Sequence, residues 1–119
     1  RMPLYYAVCD VVVLPRPRHP ATEVAAPTKF AEYAAMGKPI LLTNVGDAAK
    51  LVAKHRCGIV VEDNSVAKLH NGIGQFRHSA REVLLEMGMA ARRLAECEFN
   101  FENTKRTLAR CIEELVGPP

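Results

Sequence analysis

The sequence predicts an α/β fold, a Rossmann-like three-layer fragment in which helices flank a short parallel sheet of about three strands and further helices follow it. Three apolar runs rich in β-branched residues occur at 10–14, 40–43 and 58–61. None of them alternates with polar residues, which is typical of strands covered on both faces. Helical patterns connect the runs, so the expected order is strand, helix, strand, helix, strand.

The first strand is predicted from Asp10 to Leu14, after a short run that resembles the last turns of a helix. The polar loop from Arg16 to Glu23 leaves the carboxyl end of this strand, and open α/β sheets bind ligands at that edge. Arg16 and Arg18 are therefore candidate contacts for a phosphate or for a second substrate. A solvated proline-rich loop is the alternative.

A helix of about ten residues is predicted after this loop, because Pro27 suits a first helical position and a glycine followed by a proline suits the end. Ala26 is the expected N-cap, and its side chain cannot accept a hydrogen bond from the first free amides. Thr28 and Glu32 lie one turn apart on one face. An anion at the tip beside Lys29, with a carboxylate one turn below, suits a diphosphate attached to vicinal hydroxyls such as those of ribose. A surface helix capped by water is the alternative.

The remaining elements are predicted from caps and helical spacing. Asp47 is the expected N-cap of a helix at 48–55, between the second and third strands. Beyond the third strand, Ser65 is expected to cap one helix, another follows, and Asn100 precedes a last helix that Gly117 ends. The apolar positions of this last helix are Phe101, Leu108, Ile112 and Leu115.

Length and charge describe one ordinary globular domain of 119 residues with a net charge of +3. The charges are interleaved along the chain, so no nucleic-acid partner is expected. No run approaches the roughly 20 apolar residues of a membrane span, and no signal peptide opens the chain, so a cytoplasmic location is expected. The cysteines form no C-x-x-C pair and are expected to be reduced thiols packed in the core. They are Cys9, Cys57, Cys97 and Cys111.

Five motifs follow one another along the chain. They are YYAVCDVVVLP at 5–15, PTKFAEYAAMGKPI at 27–40, NVGD at 44–47, CGIVV at 57–61 and MGMAARRLAECEFNFEN at 87–103. Together they resemble the C-terminal half of a GT-B glycosyltransferase of the family-four, retaining kind. The resemblance covers almost the whole chain. It implies that residues 1–119 are a single partial domain, the C-terminal part of the nucleotide-sugar-binding domain of a longer protein.

The resemblance implies roles for individual positions. Glu32 matches the carboxylate that binds the ribose of the donor nucleotide. Pro27, Thr28 and Lys29 match the segment that lies against the diphosphate. Glu23 is the candidate for the catalytic acidic residue that faces the donor sugar in the paired-glutamate motif of this family. The usual spacing of the two glutamates in this motif, counted back from Glu32, would reach Val24 and not Glu23. The assignment therefore requires the loop to bulge by one residue.

The implied reaction transfers a sugar from a UDP- or GDP-linked donor to a hydroxyl of an unidentified acceptor, with the anomeric configuration retained. Charge develops on the departing diphosphate, so fixed amides and cations aimed at it lower the barrier. No metal or cofactor is expected, because this fold normally works without one and the sequence offers no ligand cluster. The parent protein is expected in the cytoplasm, with the inner face of the membrane as an alternative location.

The first half of the domain and the acceptor domain are not in this sequence, so the isolated chain is expected to lack transferase activity and to bind nucleotide weakly at most. The strand at 10–14 would then have an unpaired apolar edge, which predicts a homodimer through this strand. Two other functions stay open: a nucleotide-sugar epimerase of the same fold and a non-catalytic α/β interaction module. P-loop and dinucleotide-binding enzymes are excluded because their glycine-rich motifs are absent.

Overall fold

Seven helices and three strands form the part of the chain that the computed structural model describes, residues 2–25 and 28–117. In chain order they are α1 (Met2–Ala7), β1 (Val12–Leu14), α2 (Pro20–Val24), α3 (Thr28–Ala35), β2 (Ile40–Thr43), α4 (Gly46–His55), β3 (Gly58–Val61), α5 (Val66–Arg77), α6 (Arg81–Glu98) and α7 (Phe101–Val116). The predicted α/β fold with helices after the third strand is confirmed.

The sheet is parallel, with the strand order β1-β2-β3. Ile40 of β2 lies opposite Val12 of β1 and Gly58 of β3. The second and third strands have the predicted bounds, whereas β1 is shorter than the predicted run and begins two residues after Asp10. Because the strands are parallel, their carboxyl ends lie at one edge of the sheet.

Helices cover both faces of the sheet, which gives three layers. On one face the strands pack against α3, α4 and α6, and this cluster includes Phe30, Ile40, Leu42, Val52 and Leu94. On the other face Leu41 packs with Val61 and with Phe76 of α5. All four residues of β2 are buried, which explains why the run at 40–43 shows no alternation.

The loop predicted from Arg16 to Glu23 is only partly a loop, because α2 begins within it. His19 is the N-cap of α2, and its Nδ1 accepts a hydrogen bond from the backbone N–H of Ala21 at 3.1 Å. In return, the hydroxyl oxygen of Thr22 accepts from the backbone N–H of His19 at 3.1 Å. These reciprocal bonds and a proline at the first helical position start a helix where the sequence interpretation placed none.

The helix that carries the candidate site, α3, has the predicted faces. Phe30 and Ala34 are buried against the core, while the polar stripe is exposed. Beyond its last turn, Gly37 adopts a φ of +67°, a conformation that suits glycine at the end of a helix. The predicted first residue Pro27 and the predicted N-cap Ala26 lie outside the described residues.

The helix α4 begins earlier than predicted, so the assignment of Asp47 as its N-cap is wrong. The N-cap is Val45, which has no side-chain acceptor, and Asp47 lies in the first helical turn. Its exposed carboxylate pairs with Lys50 at 3.6 Å instead of accepting from the first amides. The N-terminal end of α4 is therefore capped by a residue from elsewhere in the chain.

The predicted caps of the C-terminal helices are confirmed. Ser65 accepts a hydrogen bond from the backbone N–H of Lys68 at 3.3 Å, and the Asn100 side chain accepts from Glu102 at 2.8 Å. Every residue of α7 is exposed, so its apolar positions are not buried in this chain.

The cysteine prediction is correct for two of the four residues, which pack at the core cluster on one face of the sheet. Cys57 is completely buried in the core beside the sheet, and Cys9 is half-buried. Cys97, near the end of α6, and Cys111, on the fully exposed α7, are exposed. The prediction that the cysteines pack in the core is wrong for these two.

Candidate functional site

The loop after β1 crosses the carboxyl edge of the sheet. Thr43, the last residue of β2 and a buried polar residue, donates its hydroxyl hydrogen bond to the backbone carbonyl of Arg16 at 2.6 Å. This bond fixes the loop above β2 and satisfies a hydroxyl that would be costly to bury alone. The candidate residues Arg16 and Arg18 are thereby held at the edge where the sequence predicted a ligand.

The two arginines bind backbone carbonyls at this edge. The guanidinium of Arg18 donates to the carbonyl of Asn44 at 3.3 Å and to that of Glu62 at 3.4 Å, so it spans the ends of β2 and β3. The guanidinium of Arg16 donates to the carbonyl of Ala25 at 3.3 Å, in the segment that leads to α3. A guanidinium has five N–H donors, so each arginine keeps donors for an anion at this edge.

The candidate catalytic residue Glu23 lies against the first turn of α4. Its Oε2 accepts a hydrogen bond from the backbone N–H of Gly46 at 3.0 Å. Gly46 has a φ of +69°, and a Cβ at this position would lie 3.1 Å from the carbonyl oxygen of Glu23. Glycine therefore permits the close approach of α2 to α4, and the carboxylate serves as the cap that Val45 lacks.

The tip of α3 is accessible to solvent. Thr28 and Lys29 are both exposed, and no acidic residue occurs in the first turn. The positive end of the helix dipole and the ammonium group of Lys29 therefore act together on anything negatively charged that approaches. Pro27, the other residue predicted for this tip, lies outside the described residues.

Glu32 lies one turn below this tip and is exposed. Its Oε2 accepts a hydrogen bond from the hydroxyl of Tyr6 on α1 at 2.8 Å. This bond, with partial desolvation and the nearby negative charge, raises the pKa of Tyr6 above its ordinary value. The hydroxyl is therefore protonated at neutral pH and donates the hydrogen bond to Glu32. Glu32 also lines a hollow of about 420 Å³ between α3 and the end of α6, together with Phe99 and Arg92.

The structure places the predicted residues at the carboxyl edge of the sheet, at the tip of α3, where Thr28 and Lys29 lie, and one turn further along α3. Arg16, Arg18 and Glu23 lie along the carboxyl edge of the sheet, where they contact the ends of strands and the first turn of α4. Glu32 lies on the side of α3 that faces α1. Tyr6 was not predicted as a site residue, because it lies 26 positions from Glu32 and no spacing rule connects them.

A larger hollow of about 930 Å³ lies between α5, α6 and the turn before β2, and none of the predicted site residues lines it. Within residues 2–25 and 28–117, no group of three or more His, Cys, Asp or Glu side chains is placed to hold a metal ion. None of the helices described in those ranges is long and apolar enough to cross a membrane.

Comparison with known proteins identifies related sequences. A family model described as glycosyl transferases group 1 matches residues 1–78. Two curated relatives, from two strains of Mycobacterium tuberculosis, are each named as a GDP-mannose-dependent alpha-(1-6)-phosphatidylinositol monomannoside mannosyltransferase. Each is 26% identical to this chain over 110 residues, which are 91% of this chain and 28% of the relative. The chain thus spans little more than a quarter of their length.

Two solved structures share the fold. Sucrose-phosphate synthase from Thermosynechococcus elongatus superposes with a TM-score of 0.80 at 21% identity, over 95% of this chain and 27% of that one. A glycosyltransferase from Rickettsia africae ESF-5 also gives 0.80 at 21% identity, over 97% of this chain and 30% of that one. The arrangement of sheet and helices described above is therefore one that these larger proteins contain.

Proposed function

Because the chain belongs to the family of glycosyl transferases group 1, we propose that it forms part of the donor site of a retaining GT-B glycosyltransferase of family four. In the proposed reaction a sugar leaves a nucleotide diphosphate and joins a hydroxyl of the acceptor, with its anomeric configuration retained. The chain is the C-terminal part of the nucleotide-sugar-binding domain, and the rest of the protein supplies the acceptor site.

The observation that carries this proposal is the exposed tip of α3 with a carboxylate one turn below it. Thr28 and Lys29 offer an amide-rich, positively charged end to a diphosphate. Glu32 lies at the following turn and is exposed, so it is placed to accept hydrogen bonds from the hydroxyls of the attached ribose.

The residues at the carboxyl edge have complementary roles in the proposal. Arg16 and Arg18 neutralise charge on the departing diphosphate, since both guanidinium groups lie at this edge. Glu23 faces the donor sugar with the carboxylate oxygen that is not bonded to Gly46. The site works with these groups and without a metal ion or cofactor.

The name of the mycobacterial relatives guides the choice of substrates. They are named as GDP-mannose-dependent and as phosphatidylinositol monomannoside mannosyltransferases. We therefore propose that a GDP-sugar is the first donor to test and a UDP-sugar the second. We propose a cytoplasmic location for the protein, and an acceptor linked to a lipid would bring it to the inner face of the membrane.

The donor assignment is tested in the full-length protein by titrating GDP- and UDP-sugars against wild type and Glu32→Ala. Loss of the carboxylate should weaken donor affinity by about tenfold or more, because hydrogen bonds to a charged group are strong. Glu86→Ala is the matched control, since Glu86 is an exposed glutamate of α6 that is not in the proposed site. Equal affinities of wild type and Glu32→Ala would remove Glu32 from the donor site.

The isolated 119-residue chain has a narrower role in the proposal. It has no turnover of its own, because the acceptor site is not part of it, and its nucleotide affinity is weak at most. In the proposal β1, an outer strand of the sheet in the described part of the chain, pairs with a second copy to form a homodimer. Turnover of a nucleotide sugar by the purified chain would contradict this part of the proposal.

A further inference from the structure

The hydrogen bond between Tyr6 and Glu32 joins α1, which precedes β1, to α3, the second helix after it. The donor and acceptor atoms are 2.8 Å apart, which is the ordinary length of a strong O–H···O bond. A carboxylate acceptor makes such a bond charge-assisted. The contact is therefore strong enough to restrict the orientation of an exposed glutamate.

The ring of Tyr6 is itself held in place. Its side chain is 9% exposed and packs edge to face against Tyr33, with ring centroids 5.4 Å apart and an interplanar angle of 89°. The hydroxyl of Tyr33 in turn donates to the backbone carbonyl of Val13 in β1 at 3.4 Å. A chain of contacts thus connects the sheet, two rings packed edge to face and the carboxylate of Glu32.

Within the described part of the chain, Glu32 receives no other side-chain hydrogen bond and no ion pair. The cation that shares its hollow, Arg92, is engaged elsewhere. Its guanidinium donates to Glu96 at 3.0 Å and to the carbonyl of Ala35 at 2.6 Å. The direction of the Glu32 carboxylate therefore depends on the hydroxyl of Tyr6.

The bond leaves the acceptor capacity that a ligand needs. A carboxylate has about four lone-pair sites, and Tyr6 occupies one of them on Oε2. The unbonded Oε1 and the second lone pair of Oε2 can accept from two neighbouring hydroxyls. Fixing the carboxylate before the ligand arrives also removes part of the entropy that binding would otherwise cost.

We infer that Tyr6 is a positioning residue for the nucleotide-sugar donor: its hydroxyl holds the carboxylate of Glu32 in the orientation that receives the two hydroxyls of the nucleotide ribose. This inference rests on the proposed function. It assigns Tyr6 no contact with the donor and no part in bond making or breaking.

The test compares Tyr6→Phe with Tyr5→Phe in the full-length protein. Tyr6→Phe removes only the hydroxyl, while Tyr5 is the adjacent tyrosine of the same helix and is 64% exposed. Kinetics are measured with GDP-mannose as the donor and with its 2′-deoxyribose analogue, and thermal unfolding is followed in parallel. Tyr6→Phe should raise the KM for the donor about threefold to tenfold with kcat within about twofold, whereas Tyr5→Phe should change neither.

The ribose analogue supplies a readout that a purely structural role would not change. Wild type should prefer the ribose donor over the deoxyribose donor, and Tyr6→Phe should reduce this preference. Glu32→Gln and the double variant complete a cycle. Because Tyr6 acts through Glu32, its removal should add little to the effect of Glu32→Gln.

The outcomes distinguish the donor site at Glu32 from the positioning role of Tyr6. If Glu32→Gln leaves donor affinity unchanged, both the proposed donor site and the proposed role of Tyr6 are contradicted. If Glu32→Gln weakens binding but Tyr6→Phe retains wild-type KM and ribose preference, the inference about Tyr6 is overturned while the donor site stands. A lower Tm of Tyr6→Phe with an unchanged ribose preference would likewise overturn it, since Tyr6 would then be structural only.

Discussion

The carboxylate of Glu23 accepts the backbone N–H of Gly46 at 3.0 Å, so the helix after β1 caps the helix after β2. Two elements that are separate in sequence are thereby fixed at the carboxyl edge of the sheet. The residue proposed to face the donor sugar therefore also has a structural task. Its substitutions have to be chosen so that the two roles can be distinguished.

Glu23→Ala and Glu23→Gln should differ in stability and agree in activity. The alanine variant leaves the first amides of α4 without a cap and should lower the free energy of unfolding by about 1 kcal/mol. The glutamine variant keeps a carbonyl oxygen for Gly46 and should lose less. Urea unfolding of both variants measures this difference.

Activity of the same two variants then tests the proposed catalytic role of Glu23. If the charge of Glu23 acts on the donor sugar, the glutamine variant of the full-length protein should lose most of its turnover although it is nearly as stable as wild type. If the Glu23→Gln variant has wild-type turnover, Glu23 has no catalytic role and only caps α4. Asp47→Asn, in the first turn of α4, is the control for a change of charge at this helix end.

The helix α6 meets the turn after α3 at Gly88. A Cβ at Gly88 would overlap the backbone carbonyl of Gly37, whereas a Cβ at Gly74 of α5 would meet no atom within 4 Å. Gly88→Ala should therefore destabilise the chain by about 1 to 3 kcal/mol, because backbone must move to admit the methyl group. Urea unfolding measures the change.

Gly74→Ala is the matched control, since both glycines lie inside helices. It should stabilise the chain by up to about 1 kcal/mol through the better helix propensity of alanine. Equal effects of the two substitutions would show that helix propensity alone acts at Gly88 and that α6 does not depend on close approach to the turn after α3.

The strands could be predicted because their signal is local. The runs at 40–43 and 58–61 are continuous and apolar, as expected of covered strands, although only β2 is buried along its whole length and β3 is partly buried up to Val61. The caps Ser65 and Asn100 are also local, since each side chain bonds amides two or three residues further along the chain. The groups that make these contacts are close together in the sequence, so the spacing of residues is enough to predict the contact.

The contacts that organise the candidate site could not be predicted in this way. Glu23 and Gly46 are 23 residues apart, and Tyr6 and Glu32 are 26 residues apart. Each pair meets only because the parallel sheet brings successive connections to the same edge or side. The helical pattern of α7 likewise predicted a helix, but a pattern does not show which surface its apolar side contacts.

The thiol of Cys57 should be protected from reagents in the folded chain. Burial raises the pKa of Cys57 to about 11, from an ordinary value of 9.0, so almost no thiolate forms near neutral pH. Cys97 and Cys111 are exposed and should react first with iodoacetamide. Mass mapping after a short reaction, with and without denaturant, should show Cys57 modified only in denaturant.

The same shift predicts how stability changes in base. The folded chain holds the Cys57 proton more tightly than the unfolded chain, so this contribution to stability is complete below about pH 9 and is lost as pH rises towards 11. Cys57→Ala removes this contribution and should give a flatter decline over that range. Rapid modification of Cys57 under native conditions, or an identical decline in both proteins, would contradict the burial of this thiol.

The open edge of β1 makes self-association of the isolated chain testable. Val12 donates its backbone N–H to the carbonyl of Pro39 at 3.0 Å, and backbone groups alternate in direction along a parallel strand. The N–H of Val13 therefore points to the outer edge. At this edge the carbonyl of the same residue accepts from the hydroxyl of Tyr33 at 3.4 Å, and the N–H is the group from which a second copy can accept a hydrogen bond. Sedimentation velocity of the chain over a concentration series should show a dimer that forms reversibly.

Val13→Pro is the variant that addresses this edge, because proline removes the outward N–H and is tolerated on outer strands. It should shift the dimer towards monomer, whereas Val13→Thr keeps the N–H and a β-branched shape and should dimerise as wild type does. Circular dichroism of both variants checks that the sheet is retained. A wild-type chain that sediments as a monomer at the highest concentration, or a Val13→Pro chain that dimerises equally well, would exclude the β1 edge as the contact.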